Sequence, residues 1–109
     1  MIWTINLEAA ISETVTDHSE AVWSVMEQLV EVHGVMGAVG HGNSKHHTVG
    51  ARFDIEAESL VQAATDGVQI FTAAASRAGI ETMTVLRAEV EEDEHFMART
   101  GAEHELAPA

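Results

Sequence analysis

The order of its predicted elements is the feature that most constrains how this chain folds. Apolar and polar residues alternate from Ile2 to Ala10, as in a strand with one buried face. Helical periodicity begins after Asp17, and two strand-like segments then flank the turn Gly42-Asn43-Ser44. A second helical segment begins at Ser59, and a fourth strand follows it. The chain therefore has the order βαββαβ.

Local signals place the ends of these elements. Asp17 and Ser59 are each followed, at capping-box spacing, by a glutamate or glutamine, so we expect them to cap the two helices. Gly34 and Gly79 are suited to end the helices in the left-handed conformation. The predicted strands cover residues 2–10, 35–41, 47–57 and 81–91, and the glycines of the second indicate an edge strand or a bulge.

This order predicts one small α+β domain. Two interleaved right-handed crossovers give the strand order 4-1-3-2. We therefore expect a ferredoxin-like βαββαβ sandwich, in which two helices cover one face of a four-stranded antiparallel sheet. Residues 1–91 would form this domain. Residues 92–109 would form an acidic C-terminal tail that is partly disordered, with a helical turn or two near Phe96.

Such a sandwich leaves one sheet face without helices, and this face is the best candidate for a binding surface. Strict alternation along the fourth strand places Met83 and Val85 there, and turns Thr84 and Leu86 toward the helices. The candidate ligand-binding or interface residues on the open face are Asn6, Arg52, Val85 and Arg87. Either arginine could pair across the strands with Glu8. No residue is assigned a catalytic role.

A second candidate is the histidine-rich hairpin. His41, His46 and His47 flank its turn, and neutral imidazoles are ligands for Zn, Ni or Cu. Their spacing matches no standard ligand motif, and Lys45 between them opposes a cation. The alternative interpretation is a polar hairpin without metal. No cofactor is predicted, and a divalent metal at these histidines is the alternative.

Composition and charge exclude several classes of function. The chain has no Cys, so thiolate chemistry is excluded. It has 18 acidic and 5 basic residues, for a net charge of −13, which argues against nucleic-acid binding. No apolar run is long enough to span a membrane, and the first residues do not resemble a signal peptide. We therefore expect a cytoplasmic protein with no membrane partner.

These observations favour a small acidic, non-catalytic interaction module that self-associates through its open sheet face. Its expected partners are further copies of itself or another protein. Two alternatives remain open. One is a small-molecule or metal-binding domain that uses the histidine-rich hairpin. The other is an enzyme of the dimeric α/β-barrel type, with a pocket on the open sheet face.

Overall fold

The computed structural model describes residues 1–100 and confirms the predicted order of elements, with one further helix at the end. No helix in this range is long and apolar enough to cross a membrane. The elements are β1 (Ile2–Ile11), α1 (His18–Glu31), β2 (Met36–Asn43), β3 (Thr48–Glu56), α2 (Leu60–Arg77), β4 (Met83–Glu92) and α3 (Asp93–Arg99).

The four strands form one antiparallel sheet in the order β2-β3-β1-β4, which is the predicted order read from the opposite edge. The long strands β1 and β3 are central, and β2 is an edge strand, as its glycines predicted. The register of β2 against β3 shifts between Met36 and Val39, where Gly37 has a φ of 58°. The bulge expected from the glycines is therefore present.

Helices α1 and α2 cover one face of this sheet and enclose the core with it. Ile5, Leu7 and Phe53 from the sheet are fully buried, as are Leu29 of α1 and Phe71 of α2. Each such side chain contributes roughly 1.5–3 kcal/mol of hydrophobic stabilisation. Small residues let the helices approach closely: a Cβ on Gly67 of α2 would lie 3.0 Å from Cγ2 of Ile5. A Cβ on Gly40 of β2 would lie 2.6 Å from Cγ1 of Val22 in α1.

Both predicted helix caps are present. The Asp17 carboxylate accepts a hydrogen bond from the backbone N–H of Glu20 at 3.0 Å, and Oγ of Ser59 accepts one from Gln62 at 3.1 Å. These contacts satisfy backbone donors that a helix leaves unpaired in its first turn. The two helices therefore begin where the sequence predicted.

The predicted faces of β4 are confirmed from Arg87 to Glu91 but were wrong for Met83–Leu86, because β4 contains a β-bulge. Glu8 of β1 pairs with Arg87, but the next residue, Ala9, pairs with Val85. Leu86 is the extra residue and is 57% exposed. One inserted residue reverses the alternation beyond it. Val85 and Met83 therefore pack against the core on the helix face, and Thr84 is exposed.

Helix α3 follows β4 directly and packs against β1 and β4. Its contacts with Thr4 and Arg52, which belong to the face opposite Ile5 and Phe53, place it on the side away from α1 and α2. The segment predicted as an acidic tail thus contains an ordered helix over Asp93–Arg99. Residues 101–109, where further disorder was predicted, lie outside the described residues.

Candidate functional site

One end of the open sheet face is covered by α3, which is attached there through a buried hydroxyl. Thr4 is only 4% exposed, and its Oγ1 lies 2.8 Å from Oδ1 of Asp54 and 3.2 Å from Oδ1 of Asp93. A hydroxyl has one proton, so it cannot donate to both carboxylates at once. Burial and the nearby Asp93 charge raise the pKa of Asp54, against the lowering effect of the Thr4 hydrogen bond and of Arg52.

A second set of contacts holds α3 to the end of β4. Arg99 donates to both carboxylate oxygens of Glu91, from Nε at 2.9 Å and from Nη2 at 2.6 Å, and His95 contacts the same carboxylate. The Arg99 hydrogen bond, together with His95, lowers the pKa of Glu91 to about 2. Contact with Glu91 also raises the pKa of Arg99. These groups are at the surface, so salt screens them.

A polar cluster lies beside α3 on the same face. Asn6 and Arg52 are opposite each other in β1 and β3, and the Arg52 guanidinium lies 5.1 Å from the ring centre of Phe96. Nε2 of His41 is 3.4 Å from Oδ1 of Asn6. The imidazole lies over Gly50, where a Cβ would come within 2.1 Å of its Cε1. Within residues 1–100, Arg52 forms no ion pair.

Of the four open-face candidates, the structure places Asn6, Arg52 and Arg87 on the predicted face and moves Val85 to the helix side. Arg87 lies opposite Glu8, as predicted, but its ion pair is with Glu89 on its own strand. Arg52 lies opposite Asn6 and over the Phe96 ring, and within residues 1–100 it forms no ion pair with Glu8. Asn6, Arg52 and His41 thus form a half-buried set of hydrogen-bonding groups.

The three hairpin histidines do not come together. The prediction placed His41 across from His46 or His47, but His41 pairs with Gly50 and extends over the open face toward Asn6. His46 is exposed in the turn, and His47 packs against His18 at the start of α1. Among the described residues, no group of three or more His, Cys, Asp or Glu side chains is placed to hold a metal. His41, His46 and His47 therefore lie apart in this structure, and a metal at these histidines stays an untested alternative.

A surface that the sequence interpretation missed lies on the outer side of α1. Trp23 is 66% exposed and Val30 is 50% exposed, and between them an apolar cleft of about 260 Å³ is lined by Trp23, Met26, Glu27, Val30 and Glu31. We refer to these five residues as the α1 cleft. Val30 lies outside the buried stripe of the helix, which centres on Val25 and Leu29. The spacing of Trp23, Glu27 and Val30 by four and three residues marks one helix face and was the available signal.

Comparison with known proteins identifies no relative of this chain. No family model matches this chain, and no curated protein and no solved structure is similar to it at a significant level.

Proposed function

We propose that this protein is a non-catalytic interaction module that binds a basic segment of another protein in the α1 cleft. The observation that carries the proposal is the exposure of Trp23. Tryptophan side chains are enriched among the residues that dominate binding energy at interfaces. The connectivity of the sandwich supports assignment to the ferredoxin-like type, which hosts many functions, so the argument depends on the surface.

The cleft has the size and composition for one apolar anchor. Its volume of about 260 Å³ is lined mainly by apolar atoms of Trp23, Met26 and Val30. A leucine, methionine or phenylalanine side chain from a partner would bury the indole and itself from water. An aromatic side chain buries 150–250 Å². At roughly 25 cal/mol per Å² of apolar surface, this burial makes the free energy of binding substantially more favourable.

The charge around the cleft selects the partner. Glu27 and Glu31 line it, and the whole chain carries a net charge of −13. A second copy would bring the same acidic groups against each other, and like charges across an interface are unfavourable. A segment with Lys or Arg on both sides of its apolar anchor would instead be attracted, and its association would be accelerated at low salt. The occupant we propose is therefore a basic amphipathic segment.

Titration with designed peptides tests this proposal. One peptide would present leucines on one helical face and lysines on the other, and a second would replace the lysines with glutamates. We expect the basic peptide to bind and Trp23→Ala to weaken binding at least tenfold without changing the melting temperature. Leu86→Ala removes another exposed apolar side chain and is the matched control. Equal binding by Trp23→Ala and the unmodified protein would contradict the proposal.

Self-association through the open sheet face remains the second candidate. Met36 and Val39 on β2 and Leu86 on β4 are exposed apolar side chains in its two edge strands. Helix α3 and the charged residues of the open face reduce the apolar area between these exposed side chains. The open face is therefore a weaker candidate for an interface than the α1 cleft. Native mass spectrometry of the untagged protein distinguishes the two: a dimer that Val39→Glu converts to a folded monomer would favour the sheet face over the α1 cleft.

A further inference from the structure

Two histidines far apart in the sequence meet at the hairpin end of the molecule. His18 is the first residue of α1, and His47 precedes β3. Their ring centres are 5.2 Å apart, with the ring planes tilted by 54°. The backbone holds both in place, since Asp17 caps α1 and the carbonyl of His47 accepts a hydrogen bond from Ile11 at 2.9 Å. The pair is therefore held by the end of β1, the start of α1 and the hairpin.

Each of the two rings has a nitrogen that lacks a partner. Nε2 of His18 and Nδ1 of His47 are both buried and make no hydrogen bond within residues 1–100. Burying an imidazole nitrogen without a partner is unfavourable, and such atoms in a folded protein call for a specific explanation. Nε2 of His33, near the other end of α1, is also buried without a partner, but among residues 1–100 no other histidine ring packs against it.

The backbone of His47 gives an independent indication. Its φ is 52°, and among the described residues it is the only non-glycine residue with positive φ. Positive φ is uncommon for residues with a side chain, and histidine is one of the residue types enriched there. The turn thus keeps an imidazole at a position where glycine would fit more easily, and that imidazole lies against His18.

The geometry points to a shared metal ion, and we propose that His18 and His47 bind a divalent ion of the zinc, nickel or copper group. A metal–nitrogen bond is about 2.0–2.1 Å. Two imidazoles on one tetrahedral ion therefore have ring centres roughly 5 Å apart, which agrees with the observed separation. Neutral imidazole is a preferred ligand for these metals.

The remaining coordination positions would be open. No third His, Cys, Asp or Glu joins the pair in residues 1–100. An open cavity of about 610 Å³ adjoins His18 and is lined also by Asp17, Ser19 and Gly42, among others, but not by His47. With two protein ligands, the proposed site has half the protein ligands of a structural four-ligand zinc site.

Titration of untagged protein, purified without nickel resin, with ZnCl₂ and NiCl₂ tests this site. We expect calorimetry to show one ion per chain. In spectra that correlate histidine ring nitrogens and protons, the zinc-induced changes should be confined to His18 and His47. His18→Ala should weaken zinc binding at least tenfold. His47→Gly should do the same while remaining folded, because glycine accepts the positive φ without strain.

Two variants control for other histidines. His46→Ala removes the exposed neighbour in the turn, and His33→Ala removes the other buried ring with an unpartnered nitrogen. Both should bind zinc as the unmodified protein does. The absence of binding, or binding that survives in folded His18→Ala and His47→Gly, would overturn the proposal. Loss in His46→Ala alone would assign the metal to the exposed hairpin and would also overturn it.

Discussion

At the scale of single residues, Thr4 and its two carboxylates make the attachment of α3 sensitive to pH. Burial raises the pKa of Asp54 above its ordinary 3.8, so its ionised form costs folding free energy at neutral pH. This cost disappears as the pH falls through the folded-state pKa toward 3.8. Glu91 acts in the opposite direction, because its pKa falls from 4.5 to about 2. The stabilisation of the folded state by ionised Glu91 is present above pH 4.5 and is lost as the pH falls toward 2.

We therefore expect Asp54→Asn to raise the melting temperature at pH 7 by a few degrees. The amide removes the ionised carboxylate next to Asp93 and still accepts a hydrogen bond from Thr4. Scanning calorimetry from pH 7 to pH 3 should show the gain shrinking, because Asp54 itself becomes protonated in that interval. Glu56→Gln, which neutralises an exposed carboxylate on the same strand, is the control for net charge. If both variants raise the melting temperature equally, the ionised Asp54 carboxylate does not cost more folding free energy than an exposed carboxylate.

At the scale of secondary-structure elements, the bulge in β4 decides which residues meet the helices. Val85 packs against the core and Leu86 is 57% exposed, although both are apolar and adjacent. We expect Val85→Asp to destabilise the protein by roughly 1–3 kcal/mol, since it places a carboxylate without a partner at a half-buried position against the core. Leu86→Asp should change stability by less than about 0.5 kcal/mol. Urea unfolding of the two variants measures this, and the reverse ranking would show that β4 is regular.

The elements also show how far the sequence predicts this fold. The strand order, both helix caps and the edge position of β2 follow from periodicity, capping residues and the handedness of crossovers. The face of Val85 does not, because the alternation of β4 is equally apolar in both registers: Val85 and Leu86 are interchangeable in a hydrophobic pattern. The bulge is set by pairing with β1, which is a long-range contact and not a local signal.

The candidate surfaces were predicted less completely for the same reason. Asn6, Arg52 and Arg87 lie on the open face because strict alternation holds on β1, β3 and the end of β4. The contact between His18 and His47 depends on how the hairpin turns back over α1, which no spacing in the sequence encodes. The exposure of Trp23 depends on the angle at which α1 lies on the sheet.

At the scale of the whole molecule, net charge sets opposite salt dependences for folding and for binding. Eighteen acidic residues against five basic ones repel one another, and only a few of the acids form ion pairs in residues 1–100. The radius of gyration is 14.3 Å. The screening length is about 30 Å at 0.01 M salt and about 8 Å at 0.15 M. Repulsion therefore acts across the whole molecule at low salt and only between neighbours at physiological salt.

We expect the melting temperature to rise by several degrees between 0.01 and 0.15 M NaCl and then to level off. Over the same interval the affinity for the basic peptide should fall, since screening weakens its attraction to Glu27 and Glu31.

The double variant Glu13→Lys with Glu58→Lys changes two exposed acids distant from the α1 cleft in sequence, and should reduce the salt dependence of melting. If the peptide affinity does not change with salt, the apolar anchor alone determines binding. That result would contradict the proposal that the partner segment is basic. A melting temperature that falls with salt would mean that the Glu91–Arg99 and Arg87–Glu89 pairs outweigh the general repulsion.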